Sequence, residues 1–370
     1  MKYCNVALKP DEKAIYDLRE LYLLHGYRHY KVGKFEEYDL YAANKSFLKG
    51  DSILSFTDTD GKLMALKPDV TLSIIKNVGD DEGATQKFFY NENVYRTSAS
   101  FGGFREIMQT GLECIGNIDT YSMCEVLTLA DESLRLIDQS CLLALSHMGF
   151  VSGLFEECGF DEVNAKEALL YISSKNSQAL KNMAEGLGVS DKLTQALVFV
   201  ARFYGKLSVA LETIKDYCFN EKMSEAYCEL LDISNIIKGR QIYADFSLVN
   251  DMNYYNGIIF KGYIDGIPES ILSGGRYDSL VHKMGKKMGA IGFAVYLDLL
   301  ERFYEEGDEN DVDVLLLYDK QSSPAEVMEA ARKLSADGKK VKALCENDGR
   351  KYKSIAKICG GEVTILEEND

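Results

Sequence analysis

The sequence predicts an α+β fold: a core domain over 1–305, a helical insertion within it at about 160–239, and a small α/β domain at 311–370. Three observations predict it. Residues 53–76 and 90–116 read as strands that fold back on themselves, the first at Asp60-Gly61 and the second at a loop with paired glycines. Residues 160–239 become rich in Ala, Leu, Lys and Glu, lack proline and run through several helical periods. From 311 onward, strand-like and helix-like patterns alternate as βαβαβ.

Taken in order, residues 11–26 predict an amphipathic helix. Ile15, Leu18, Leu21, Tyr22 and Leu24 recur at helical spacing, and Gly26 stops the run. After the first hairpin, Pro68, Asp69 and Thr71 stand where a helix start favours Pro, Asp and Thr. A long helix is expected near 121–148. Strands are expected at 241–249 and 255–264, followed by LSGGRYDSL and a final helix near 290–305. EEGDENDVD (305–313) reads as an acidic linker. In the C-terminal domain DVDVLLLYD, KKVKALCE and EVTILEE read as strands, AEVMEAARKLSADG and RKYKSIAKICGG as helices.

Composition excludes several function classes. With 46% hydrophobic and 27% charged residues, the 370-residue chain has the balance of a soluble globular protein of two or three domains. It has no 18-residue apolar run and no signal-peptide core at its N-terminus, so a cytoplasmic protein without membrane partners is expected. Nine scattered cysteines, an odd number with no CxxC pair, predict reduced thiols and neither disulfides nor a zinc site. His25 and His29 lie four apart but lack acidic or thiol companions at ligand spacing, so no metal is expected. The formal net charge of −16 argues against a nucleic-acid partner, because such partners are held by Lys and Arg.

The segment YNENVYRTSASFGGFREIMQTGLECIG (90–116) carries the chemistry. Side chains two apart in a strand share a face, so Gln109, Gly111 and Glu113 line up beside Arg96. That is a floor for a small ligand bearing both an anion and a cation, such as an amino acid. An ordinary hairpin with a charged rim is the alternative.

In order along the chain, LKPDVT (66–71), the 90–116 hairpin, MNYYNGIIF (252–260), SGGRYD (273–278) and IGFAVYLDLL (291–300) resemble the successive motifs of the histidyl-tRNA synthetase family. The resemblance covers about 300 residues, and the C-terminal tail is similar to a shortened anticodon-binding domain. It implies a class II synthetase-like antiparallel sheet of six or seven strands flanked by helices, usually dimeric. It also implies a histidine-binding set: Asp69, Thr71 and Gln109 at the ammonium, Arg96 at the carboxylate, Glu113 and Tyr255 at the imidazole, and Tyr254 as a wall.

The departures from that family concern phosphate. Amino-acid activation builds charge on the phosphate oxygens of ATP, which the family meets with three arginines. Only Arg96 remains; Asn250 and Leu299 stand at the other two positions, Arg302 lies one helical turn beyond, and Ser98 replaces a glutamate that would hold adenine. Keeping the ligand shell while losing the phosphate shell resembles the regulatory subunits of ATP phosphoribosyltransferase, a subfamily of histidine biosynthesis. The resemblance implies a non-catalytic, cofactor-free subunit that binds L-histidine. It also implies a homodimer within a hetero-oligomer, which activates and feedback-regulates a short catalytic subunit. The alternatives are a divergent histidyl-tRNA synthetase and a stand-alone paralogue with another regulatory role.

Overall fold

The computed structural model describes residues 9–48, 53–79, 84–98, 103–237, 240–249, 254–300, 312–359 and 361–368. Two compact units emerge, 14–299 and 300–370 together with 1–13. The chain opens with α1 (Pro10–Leu24), which buries Leu18 and Tyr22 and ends at Gly26, whose φ of 79° suits glycine. There follow β1 (Arg28–His29), β2 (Phe35–Glu37), α2 (Tyr38–Ala43), β3 (Ser55–Thr57), β4 (Leu63–Leu66) and α3 (Thr71–Asn77). The long hairpin of β5 (Gln86–Ser98) and β6 (Gly103–Gly116) leads to α4 (Thr120–Ile137), whose first turn Asp119 caps through the Ser122 N–H at 2.8 Å.

The chain continues through β7 (Cys141–His147), α5 (Met148–Glu157), α6 (Glu162–Ser173), α7 (Ser177–Gly186) and α8 (Asp191–Arg202). Next come β8 (Tyr204–Lys206), α9 (Leu207–Ile214), α10 (Glu221–Ile236), β9 (Ile242–Asp245), β10 (Ile258–Ile264), β11 (Leu272–Arg276), α11 (Asp278–Lys283) and β12 (Gly289–Tyr296). The main sheet runs β1-β5-β6-β12-β11-β10-β7-β9-β8. Its six central strands are antiparallel throughout, in keeping with the sheet that the sequence resemblance implies. Parallel pairs, β1 with β5 and β7 with β9, extend it on both sides, and β8, antiparallel to β9, brings it to nine strands. Beside it, β2, β4 and β3 form a small antiparallel sheet.

The second unit holds β13 (Val314–Leu317), α12 (Pro324–Ala336), β14 (Val341–Leu344), β15 (Ser354–Cys359) and β16 (Glu362–Glu368). Its sheet order is β14-β13-β15-β16, with Val314, Leu316, Ala356 and Ile358 packed on Val327 and Ala330 of α12. A complete capping box starts that helix: Ser323 Oγ accepts the Glu326 N–H, and Glu326 returns to the Ser323 N–H.

Three segments expected as helix, in whole or in part, are strands. The helix expected over 121–148 stops at Ile137, and 141–147 is a strand. The helix expected near 290–305 begins only at Asp298, and 289–296 is a strand. RKYKSIAKICGG, expected as a helix, forms β15. Strands β7 and β12 are buried over most of their length, so each carries an apolar run that periodicity cannot tell from a buried helix, and β15 breaks its run only at Lys357. The strand expected at 255–264 starts only at Ile258, leaving Tyr254–Gly257 as a turn. Residues 305–311 of the acidic linker lie outside the described residues.

Candidate functional site

One cavity over the β5–β6–β12–β11 face gathers all seven expected ligand residues: Asp69, Thr71, Arg96, Gln109, Glu113, Tyr254 and Tyr255. The sheet explains how. Gln109 and Glu113 share one face of β6, and Arg96 sits near the end of the neighbouring strand. Asp69 and Thr71 enter from the start of α3, where Asp69 Oδ1 accepts the Leu72 N–H at 3.0 Å. Behind them, Lys67 is almost fully buried and pairs with Glu92 at 2.5 Å, which anchors the segment leading to Asp69. Tyr254 and Tyr255 come from the turn before β10, their rings edge to face at 4.5 Å.

Glu113 is the centre of the site and only 2% exposed. Thr71 Oγ1 donates to its Oε1 at 2.6 Å, and the Tyr277 hydroxyl donates to its Oε2. Burial, the largest influence, pushes its carboxyl up to about 8; the two hydroxyl donors pull the other way, and Asp69 adds to the rise. Room for the carboxylate comes from Gly292, its cross-strand neighbour, where a Cβ would collide with Oε2. At the other end, Arg96 Nε donates to the Pro68 carbonyl at 2.7 Å and its guanidinium lies 3.6 Å from the Asp69 carboxylate. Between the ends, the buried Gln109 amide has an Nε2 with no partner among the described residues. A buried donor without a partner is costly, which makes it a natural place for a ligand acceptor.

Sequence reasoning missed Tyr90, Ser273, Tyr277 and Tyr296, which also line the cavity. Tyr90 was within reach of the same strand rule, since it lies six residues before Arg96 on β5. Gly111, expected as part of the floor, serves a different purpose: a Cβ there would meet the Tyr90 hydroxyl at 2.6 Å, so the glycine admits that ring. Burial raises the hydroxyls of Tyr90, Tyr254, Tyr255 and Tyr277, so all four remain neutral. The described lining therefore carries two acidic side chains, one of them the Glu113 carboxyl raised by burial, and one guanidinium. Such a site suits a small zwitterion whose side chain offers a ring N–H or a further positive charge.

Of the positions where phosphate-binding arginines are missing, Leu299 is half-buried in the helix that begins at Asp298. Asn250 and Arg302 lie outside the described residues. His25 and His29 are separated by structure: His25 follows α1, its Nδ1 3.0 Å from the Leu21 carbonyl, and His29 in β1 packs on Phe89.

Comparison with known proteins gives the family. Residues 8–300 match the histidyl-tRNA synthetase family. The ATP phosphoribosyltransferase regulatory subunit of Bacillus cereus is 30% identical over 344 residues, covering 89% of this chain and 81% of that protein. Among solved structures, an ATP phosphoribosyltransferase regulatory subunit/histidyl-tRNA synthetase from Bacillus halodurans shares the fold with a TM-score of 0.74. Its identity is 24%, over 90% of this chain and 88% of that one. A chain of the ATP phosphoribosyl transferase (HisG:HisZ) complex from Thermotoga maritima superposes with a TM-score of 0.61 at 18% identity, over 78% of this chain and 97% of that one. The chain belongs to the histidyl-tRNA synthetase family and, within it, to the ATP phosphoribosyltransferase regulatory subunits.

Proposed function

We propose that this chain binds L-histidine in the Glu113 cavity and relays its occupancy to a short catalytic subunit of ATP phosphoribosyltransferase. In that assembly, cytoplasmic and containing a homodimer of this chain, it performs no chemical step of its own. The observation that carries the reading is the two-ended cavity. A buried carboxylate, held by Thr71 and Tyr277, faces one end, and the Asp69–Arg96 pair stands at the other. Histidine matches both ends. Its imidazole N–H can donate to Glu113, its ammonium can meet Asp69 and Thr71, and its carboxylate can meet Arg96. Gln109 offers an amide oxygen to the ammonium and its unpartnered Nε2 to the carboxylate. The names of the relatives support the catalytic partner, and the Thermotoga maritima complex provides a precedent for such an assembly.

Titration calorimetry with L-histidine, followed by activity assays of the reconstituted complex, tests the proposal. Saturable binding is expected. Glu113→Ala should abolish both binding and feedback inhibition while leaving assembly with the catalytic subunit intact. Inhibition of that variant at wild-type histidine concentrations would overturn the assignment of the pocket.

A further inference from the structure

We infer that Asp278 is a positioning residue for this pocket and that Glu229, on α10, acts on the pocket through it; the inference rests on the histidine reading. Asp278 does not line the cavity, yet three wall segments meet at its carboxylate. Its Oδ1 accepts the Ala290 N–H at 2.9 Å, at the start of β12 and two residues before Gly292. Its Oδ2 accepts from Arg276 Nε at 2.8 Å and from Asn256 Nδ2 at 3.2 Å. Asn256 closes the loop by accepting the Asp278 N–H at 3.0 Å and donating its own N–H to the Arg276 carbonyl at 3.2 Å. Asn256 follows the Tyr254–Tyr255 pair directly, and Asp278 follows Tyr277 directly. Asp278, a residue only 7% exposed, therefore holds the turn bearing two wall tyrosines against the segment bearing the donor to Glu113.

The same cluster continues outward. Arg276 Nη1 lies 3.7 Å from Glu229 Oε1, and its alkyl chain packs over Gly257, where a Cβ would stand 3.0 Å from Cδ. The other oxygen of Glu229 is 2.9 Å from His147 Nε2. His147 Nδ1 accepts the Gly149 N–H at 3.1 Å, which leaves Nε2 to donate to Glu229. Met148 N–H donates to the Gly257 carbonyl at 2.9 Å, so the end of β7 is joined to the same turn. One carboxylate on a helix thus grips both Arg276 and the strand end that supports the tyrosine turn. A shift of α10 reaches the pocket through Arg276, Asp278 and Tyr277 without any contact between Glu229 and ligand.

The test is a thermodynamic cycle on histidine affinity with the full chain: wild type, Tyr277→Phe, Asp278→Asn and the double variant, with Glu229→Gln measured beside them. Asp278→Asn should weaken binding by about 10- to 100-fold, the range for losing hydrogen bonds to a charged group. Glu229→Gln should weaken it by about 2- to 30-fold, the range for residues coupled to a site they do not touch. In the Tyr277→Phe background most of the Asp278→Asn loss should vanish, because both act on one contact. Fully additive losses in the cycle would mean a general structural role and overturn the inference. Unchanged affinity in folded Glu229→Gln, altered at a partly exposed residue, would overturn the relay even if Asp278→Asn failed to fold. A wild-type chain that bound no histidine would instead refute the pocket's assignment.

Discussion

At Glu113 the requirements of binding and of folding oppose each other. The carboxyl is raised from 4.5 to about 8, chiefly by burial. Between those two values the folded chain keeps a proton that the unfolded chain has released. The stability contributed by this group is therefore fully present below pH 4.5 and is lost as pH rises through about 8. Glu113→Gln removes that titration while preserving the shape of the side chain. Its melting temperature should fall less steeply than that of the wild type between about pH 5 and about pH 8, and at the upper end it should be at least as stable. Its histidine affinity should drop at least about tenfold, because bound histidine favours the ionised Glu113 and glutamine cannot take on that charge. Parallel melting curves for the two proteins would show that Glu113 does not hold the proton. At this scale the sequence was readable in part, since Asp69, Thr71, Tyr254 and Tyr255 were reached only through the family resemblance. Gln109, Glu113 and Arg96 followed from strand periodicity alone, whereas Tyr277 could not, because its reach depends on how β11 turns into α11.

Among elements, β12 sets a steric limit on the pocket. Gly292 lies opposite Glu113 in the β12–β6 ladder, and a Cβ there would meet both the Glu113 carboxylate and the Leu112 carbonyl. The side chain could turn away, but the carbonyl belongs to the sheet. Gly292→Ala should therefore cost about 1–3 kcal/mol in urea unfolding, the usual range for overpacking, and should abolish histidine binding. Gly103, on β6, provides the control, since a Cβ there would have nothing within 4 Å. Gly103→Ala should change stability by less than about 0.5 kcal/mol. Equal costs at both positions would refute the steric argument. Element by element, the hairpin of β5 and β6 was legible from its glycine turn, and α1 from its apolar stripe. The strands β7, β12 and β15 were not, because their apolar residues follow one another without clean alternation. What distinguishes them from helices is pairing with distant segments, which a local window does not contain.

For the whole molecule, the question is why a synthetase-like fold should carry no activation chemistry. Stabilising a phosphoryl transition state needs several fixed cations acting together, each worth on the order of 10²–10³ in rate. At the positions where the family places its arginines, this chain retains Arg96, and in the structure that guanidinium is engaged with Pro68 and Asp69 at one end of the cavity. Asn250 and Leu299 bring no charge. Restoring one cation leaves the other missing and leaves Ser98 without the carboxylate that would hold adenine. Histidine-dependent ATP–pyrophosphate exchange should therefore stay at background for the wild type, and for Leu299→Arg as well, in protein shown by calorimetry to bind histidine. Exchange by the wild type would establish a functioning synthetase. Exchange gained by Leu299→Arg alone would mean that a single missing charge had silenced the fold, and the argument from distributed loss would fail. Background rates in both, with histidine bound, leave a chain that reads the amino acid without activating it, which is the chemistry a regulatory subunit requires.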